Sequence, residues 1–293
     1  MRIVSLLPAA TDVVAELGLL DHLVGRTHEC DWPAEVEGVP IVTSTGVDQN
    51  ALSSREINST VHRGSSLYGL DADLLNDLRP DVVLTQDLCD VCAISYRKVT
   101  DTVRMMDVGP TVLSLEPSTL DEVLDCLRTV GDVLGVDSAG KIAALRQRID
   151  DVERQTRHLP HPRVAPIEWL DPVWPAGHWV PEQIAKAGGV PLLAEKGEHT
   201  RPITWQAVHD ARPDVVLLMP CGFPPERTMR ELPDEQLPET WVLDGPSYFN
   251  RPGPRVVRGV EVLAHVLHGV GPTPAPSEAT RALCRSPIRD SLA

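Results

Sequence analysis

Apolar positions recur along this chain in two alternating patterns, short unbroken runs and longer stretches with steps of three and four. The runs at Ile3–Leu7, Leu23–Arg26, Ile41–Thr43, Asp81–Thr85 and Thr111–Leu115 predict strands, and so do Arg163–Trp169, Asp214–Met219 and Thr240–Leu243 further on. The stepped stretches predict helices over Asp12–Leu17, Asp71–Leu78, Ser95–Met106, Thr119–Leu134, Val180–Ala187 and Val256–Leu267, with Thr11 as the N-cap of the first. The most regular stretch is Val136–His158, where Ile142, Leu145, Ile149 and Val152 make one buried stripe. Asp137 or Ser138 caps its start, Pro160 and Pro162 end it, and a helix of that length runs about 30 Å.

The pattern restarts after this helix. Asp77-Leu78-Arg79-Pro80-Asp81-Val82-Val83-Leu84 returns 133 residues later as Asp210-Ala211-Arg212-Pro213-Asp214-Val215-Val216-Leu217. Gly18 and Gly188 each close a short helix that follows a first strand. Strands alternating with helices predict parallel sheets with right-handed crossovers. The expected fold class is therefore α/β, with two similar lobes of mainly parallel sheet joined by a long α-helix and a ligand cleft between lobes. The expected boundaries are 1–117 for the first lobe, 118–160 for a helical connector containing the long helix at about 137–158, and 161–270 for the second lobe. The Pro-, Ser- and Ala-rich stretch 271–293 reads as a disordered tail.

A net charge of −15 argues against nucleic acid as a partner. No stretch approaches the roughly 18 consecutive apolar residues of a membrane span, so membrane insertion is not expected. The opening Met-Arg-Ile-Val-Ser-Leu-Leu-Pro is too short in its apolar run to be a secretory signal. Taken as the native start, it places the chain in the cytoplasm; a longer precursor would place it in the periplasm or at the cell surface. The six cysteines, in a chain of 293 residues, do not form a disulfide framework.

In open parallel sheets, ligands sit beyond the carboxyl ends of the strands. That rule collects Pro8, Ala9 and Thr11 after the first strand, Glu29 and Trp32 after the second, and Gln86 and Asp87 after the fourth. From the second half it collects Trp174, His178 and Trp179, then Phe223, then Tyr248, Phe249, Arg251 and Arg255. Only 4% of the chain is aromatic, so this concentration of rings suits a large, flat, partly apolar ligand, unless the rings merely pack the lobes. Arg251 and Arg255 flank a Pro-Gly-Pro turn and suit a phosphate or carboxylate, or remain solvated.

Cys89-x-x-Cys92 supplies half a zinc site, and Cys30, Cys221 and His178 stand on other strand-end loops as further ligands. A transition metal such as zinc is the bound cofactor on this reading. A thiol-redox pair is a second reading, and reduced, partly buried thiols at the site wall are a third. The imidazole of His178 suits a metal or an axial cobalt position. No Ser-His-Asp order or paired carboxylates stand out, and an enzyme is not expected.

The opening Arg-Ile-Val-Ser-Leu-Leu-Pro-Ala-Ala-Thr, the strand Leu-Arg-Pro-Asp-Val-Val-Leu and the lobe-joining helix resemble the helical-backbone substrate-binding proteins of ABC importers for cobalamin and iron chelates. The cobalamin branch, and especially its signal-less members, is resembled through Gln86–Cys92, Pro175–Trp179 and Ser247–Arg255. The resemblance covers about residues 1 to 270. It implies cobalamin, another corrinoid or a related metal chelate as a small-molecule ligand in the interlobe cleft, and a central helix that limits lobe movement. An ABC importer is the implied partner if the chain is exported. Taken as the native start, the opening is expected to depart from the family by lacking a secretion signal and a lipid-attachment cysteine.

Overall fold

The computed structural model describes residues 1–45, 52–61, 68–86 and 109–282, which form two units. The first unit comprises Met1–Pro117, Asp121–Leu145 and Pro252–Pro254; the second comprises Ser118–Leu120, Arg146–Arg251 and Arg255–Ala293. The expected helix Ser95–Met106 lies outside the described residues.

The first unit runs β1 (Ile3–Ser5), α1 (Pro8–Leu17), β2 (Leu23–Arg26), β3 (Thr43–Thr45), α2 (Ser54–Val61), β4 (Tyr68–Leu70), α3 (Ala72–Leu78), β5 (Val82–Thr85), β6 (Thr111–Ser114) and most of α4 (Leu120–Leu134). Its main sheet has the order β2-β1-β5-β6, parallel throughout, and β3 and β4 form a separate antiparallel pair. Val4, Leu6, Val42, Leu75 and Val83 make a buried cluster under the sheet, with Val24, Leu74 and Leu78 packed on it. Helix α1 begins at Pro8, four residues earlier than its pattern predicts. A proline is suited to the first helical position, because the N–H it lacks would have no intrahelical acceptor there. Thr11 is therefore inside the helix and is not its cap.

After α5 (Ala139–Thr156), the second unit runs β7 (Arg163–Leu170), β8 (Val173–Pro175), α6 (Val180–Lys186), β9 (Val190–Pro191), α7 (Trp205–Asp210), β10 (Val215–Leu218), α8 (Pro225–Thr228), β11 (Glu239–Leu243), α9 (Gly245–Tyr248), α10 (Val256–His268) and β12 (Ala279–Ala282). Its parallel core has the order β9-β7-β10-β11, flanked by antiparallel β8 and β12. Both units thus place their parallel strands in the order second, first, third, fourth. Strand β9, two residues long, is the member that the hydrophobic pattern did not announce. Strand β8 has no counterpart among the expected strands.

The repeat has the same job in each unit. In the first, the Arg2 N–H donates to Asp81 Oδ2 at 2.7 Å and its Nε donates to the Leu78 carbonyl at 2.7 Å. In the second, the Arg163 N–H donates to Asp214 Oδ2 at 2.8 Å, and its guanidinium donates to the carbonyls of Arg212 and Ala211 at 3.1 and 2.7 Å. The arginine of each repeat, Arg79 or Arg212, takes a left-handed conformation with φ of 44° or 49°. The proline after it disfavours continued helix, so the chain turns out of the helix and into the strand within three residues. Helices α1 and α6 also end alike. The N–H groups of Gly18 and Leu19 reach Ala15 and Val14, and those of Gly188 and Gly189 reach Ala185 and Ile184. This is the paired backbone closure that a left-handed glycine permits, with φ of 78° at Gly18 and 86° at Gly188.

Helix α5 is 18 residues long, shorter at both ends than the predicted Val136–His158. The carbonyl of Ser138 accepts the Ile142 N–H, and Asp137 Oδ1 accepts the Ala139 N–H at 2.9 Å. Ile142, Leu145, Ile149 and Val152 are all buried, as their spacing requires. The division between units falls inside this helix, after Leu145. A separate connector at 118–160 is therefore not what the contacts define: the helix is shared out between the two units.

The expected tail is partly built into the second unit. Thr240–Leu243 of β11 pairs antiparallel with Ala279–Ala282. Glu278, just before this strand, grips Arg258 of α10 through two hydrogen bonds of 2.9 Å. Its second oxygen also accepts the Ala275 N–H at 2.8 Å. The proline-rich composition was misleading because one edge strand and one bidentate ion pair suffice to anchor a short segment. Residues 283–293 lie outside the described residues.

Removing the strand-opening carboxylate should weaken each unit separately. Asp81→Ala and Asp214→Ala are each expected to lower stability by about 1 kcal/mol and to combine additively, as urea unfolding of the two single variants and the double variant would register. The bidentate bonds from Arg258 hold the Glu278 carboxyl down at about 2, below its ordinary 4.5. A carboxylate lowered in the folded state stabilises above its unfolded value, so this contribution is present above pH 4.5 and declines as the pH falls toward 2. Glu278→Gln should cost about 1 kcal/mol at pH 7 after solvent screening. Parallel urea titrations at pH 7 and near the lowered value should show the gap from wild type shrinking in acid.

Candidate functional site

Parallel strands deliver their following loops to one edge of the sheet, and each unit supplies its own set. In the first unit the loop after β2 is fixed from beneath. Thr27 Oγ1 lies 2.9 Å from Thr43 Oγ1, and the N–H of His28 donates to the same Thr43 hydroxyl at 3.0 Å. Buried Arg26 donates to the carbonyls of Thr27 and Cys30 at 3.2 and 3.0 Å. Held this way, the turn leaves Asp31 exposed and Glu29 and Trp32 half-buried, with Glu29 Oε1 3.3 Å from His28 Nε2.

A buried relay links this turn to the first strand and helix. The Thr11 hydroxyl donates to Ser5 Oγ at 2.9 Å, and the Ser5 hydroxyl donates to the Leu7 carbonyl at 2.9 Å. Cys30 Sγ lies 3.0 Å from Thr11 Oγ1, whose proton is already committed, so the thiol is the donor. Thr11 and Cys30 are at most 5% exposed. They are structural partners here and present no surface to a ligand. Ala9 is buried as well, Pro8 is half-buried, and Gln86 is buried at the end of β5. Asp87, Cys89 and Cys92 lie outside the described residues, as does Cys284. Glu116, exposed just beyond β6, was not anticipated; Ser114 Oγ donates to it at 2.6 Å.

In the second unit β7 overshoots its neighbours by Glu168–Leu170 and returns as β8, with Trp169 and Trp174 in register. This return leads into Gly177, His178 and Trp179, just before α6, while Met219 and Cys221 follow β10. Met219 and Cys221 donate their N–H groups to the carbonyls of Ile167 and Glu168. The aromatic residues then divide by burial. Phe223 is fully buried, 5.1 Å from the Trp169 ring, with the Arg227 guanidinium 3.5 Å from its centroid. Trp179, 5% exposed, donates its indole N–H to the Phe249 carbonyl at 2.9 Å, and Phe249 is 1% exposed. These three rings, expected to contact ligand, are packed within the unit. Trp174, Tyr248 and Arg255 are half-buried. Arg255 stands 5.0 Å over the Tyr248 ring, and burial pushes the Tyr248 hydroxyl above its ordinary 10, opposed by its hydrogen bond to Arg255. Arg251 and Cys221 are half-buried too.

His178 is the most unusual residue of this edge. Its φ of 51° is left-handed, a conformation that favours glycine. Its N–H donates to the Glu198 carbonyl at 2.9 Å and its carbonyl accepts the Gly197 N–H at 2.8 Å, so two segments are bridged by backbone. A Cβ on the preceding Gly177 would meet the Glu198 carbonyl oxygen at 2.2 Å, so only glycine permits this approach. The bridge brings the exposed His199 to His178, with Nδ1 of the one 3.3 Å from Nε2 of the other. Burial, and secondly the neighbouring His199, lowers the His178 pKa below 6.5, so this imidazole is neutral near pH 7. His199 escaped the sequence reading because it sits in Glu198-His199-Thr200, a polar run with no periodicity to place it.

The expected thiol-rich metal centre is not assembled among the described residues. No group of three or more His, Cys, Asp or Glu side chains there has the geometry to hold a metal. Cys30 is engaged with Thr11 inside the first unit, and Cys221 is in the second. No helix among the described residues is long and apolar enough to cross a membrane.

Comparison with known proteins sets this architecture in context. Over 278 residues the chain is 23% identical to a vitamin B12-binding protein of Vibrio cholerae, a match covering 91% of this chain and 88% of that one. The crystal structure of the periplasmic vitamin B12 binding protein of Vibrio cholerae superposes with a TM-score of 0.63 at 19% identity, covering 90% of this chain and 94% of that chain. A periplasmic heme binding protein from Pseudomonas aeruginosa gives a TM-score of 0.68 at 18% identity, with coverage of 97% and 99%. Residues 3–236 match the periplasmic binding protein family, whose members bind ligands and are not enzymes, and the chain belongs to that family.

Proposed function

We propose that this protein is a receptor for a metal chelate of the corrinoid, haem or iron-chelate type, with cobalamin or a related corrinoid as its ligand. The observation that carries the reading is the similarity to a vitamin B12-binding protein along 91% of the chain. The character of the strand-end loops supports it. Taken unit by unit, half-buried Trp32 in the first, and Trp174 and Tyr248 in the second, have flat apolar faces of the kind a macrocycle stacks on. Glu29 and Arg255 are polar groups able to meet its amide or carboxylate periphery. The neutral imidazole of His178 has a lone pair suited to an axial metal position. In this role the chain would hand its ligand to an ABC importer from the outer face of the membrane. If retained in the cytoplasm, it would carry or sequester the chelate instead.

Titration with cyanocobalamin, haem and a ferric chelate in parallel, followed by visible absorption and calorimetry, tests the reading. The expected result is one equivalent of cobalamin bound at micromolar concentration or below. No spectral change and no heat with any of the three would overturn it, and a response to haem or the ferric chelate alone would reassign the ligand. Burial separates the aromatic roles. Trp174→Ala should weaken cobalamin binding by about tenfold while leaving stability nearly unchanged. Phe223→Ala should instead destabilise the second unit by about 3–5 kcal/mol, measurable as a shift in its unfolding midpoint.

A further inference from the structure

His178 and His199 form a pair that packing alone does not explain. Left-handed backbone at a non-glycine residue costs roughly 1–2 kcal/mol. His178 carries that conformation, and its Nδ1 is buried with no hydrogen-bonding partner among the described residues. Both penalties persist in native structures chiefly where the position is used for something other than stability. What they secure here is the placement of a second imidazole. The backbone bridge to Gly197 and Glu198, with the close approach that Gly177 allows, holds the two rings edge to face, their centroids 5.3 Å apart. The facing nitrogens, His178 Nε2 and His199 Nδ1, are 3.3 Å apart.

We propose that His178 and His199 form a two-nitrogen subsite for a first-row divalent transition metal that presents two adjacent open coordination positions. With metal–nitrogen bonds of about 2.1 Å, the 3.3 Å separation subtends roughly 100° at the metal, between the octahedral and tetrahedral angles. Neutral imidazole is a ligand for Ni(II), Cu(II) and Zn(II). One ring now donates its N–H to the other's lone pair. When metal enters, that proton moves to the other nitrogen of its own ring; for His199 this nitrogen belongs to an exposed side chain, so no proton need leave the protein. The protein supplies two ligands only, and the remaining positions belong to water or to a small chelator. This goes beyond the corrinoid reading. The open positions of a corrin or porphyrin lie on opposite faces of the ring, so a macrocycle engages one of these imidazoles and never the pair.

Copper(II) nitrilotriacetate, a chelate with two adjacent positions free, is the probe, added to the full chain at pH 7 and read by electron spin-echo modulation, which counts bound imidazoles. Wild type is expected to show two. His199→Ala, at an exposed position that folding does not need, and His178→Ala should each show one and bind about 100-fold more weakly, because the second bond is intramolecular. The double variant His265→Ala/His268→Ala on α10 should match wild type. A two-imidazole signal that survives His199→Ala, or that disappears only in the α10 double variant, overturns the subsite. Cobalamin uptake accompanied by either result would still leave the receptor reading in place. A two-imidazole signal lost in both single variants, without uptake of any natural chelate, would support the subsite while removing that reading.

Discussion

Each unit depends on the closure between an arginine at the start of its first strand and an aspartate at the start of its third. Parallel strands cannot be joined by a tight turn, so their register must be set by contacts across the sheet. Here Arg2 meets Asp81, and Arg163 meets Asp214, by the same backbone-to-carboxylate bond. The guanidinium of each arginine also takes up carbonyls that the end of the preceding helix would leave unpaired, at Leu78 in one unit and at Ala211 and Arg212 in the other. One pair of residues therefore aligns two strands and finishes a helix. With Ile3 set opposite Val82, and Val164 opposite Val215, the carboxyl edges that carry the candidate site follow from the alternation of strand and helix.

This closure is also why the fold was legible in sequence. The eight-residue repeat preserves the residues that make it, down to the arginine that must turn left-handed before proline, and Ile142, Leu145, Ile149 and Val152 announce their helix by spacing alone. Elements with too few residues to show a period were not legible. Strand β9 spans two residues and β8 three, and each exists because β7 offers it an unpaired edge. Strand β12 was hidden by composition, since its anchorage depends on Glu278 reaching Arg258, a contact between residues 20 apart that no local pattern encodes. The start of α1 was misplaced for the opposite reason: Thr11 looks like a cap, yet Pro8 three residues earlier is an equally good first residue, and the hydroxyl was needed for Ser5 and Cys30.

The candidate site was legible as a set of loops but not as a set of contacts. Strand topology says which loops reach the edge; it does not say which side chains in them turn inward. Phe223, Phe249 and Trp179 sit beside the exposed members of their own loops and are consumed by packing, and Trp179 gives its one N–H to a backbone carbonyl. The same holds for Cys30, whose thiol completes a buried relay and so is unsuited to serve as an exposed ligand. His199 shows the converse. It belongs to no strand-end loop of the sequence reading, and only the backbone bridge at His178 brings it to the edge.

That bridge has a consequence for selectivity. A single imidazole at the edge would accept any metal with one open position, macrocyclic or not. Two imidazoles fixed 3.3 Å apart impose an angle as well as an affinity, and the angle depends on backbone that only Gly177 allows to approach Glu198 so closely. Angle is a property of the metal's other ligands, because a planar tetradentate ring leaves opposite positions open and a folded one leaves adjacent positions open. On the proposed reading, aromatic faces at Trp174 and Tyr248 would select for flatness, and the histidine pair would select for the geometry a flat ring cannot offer.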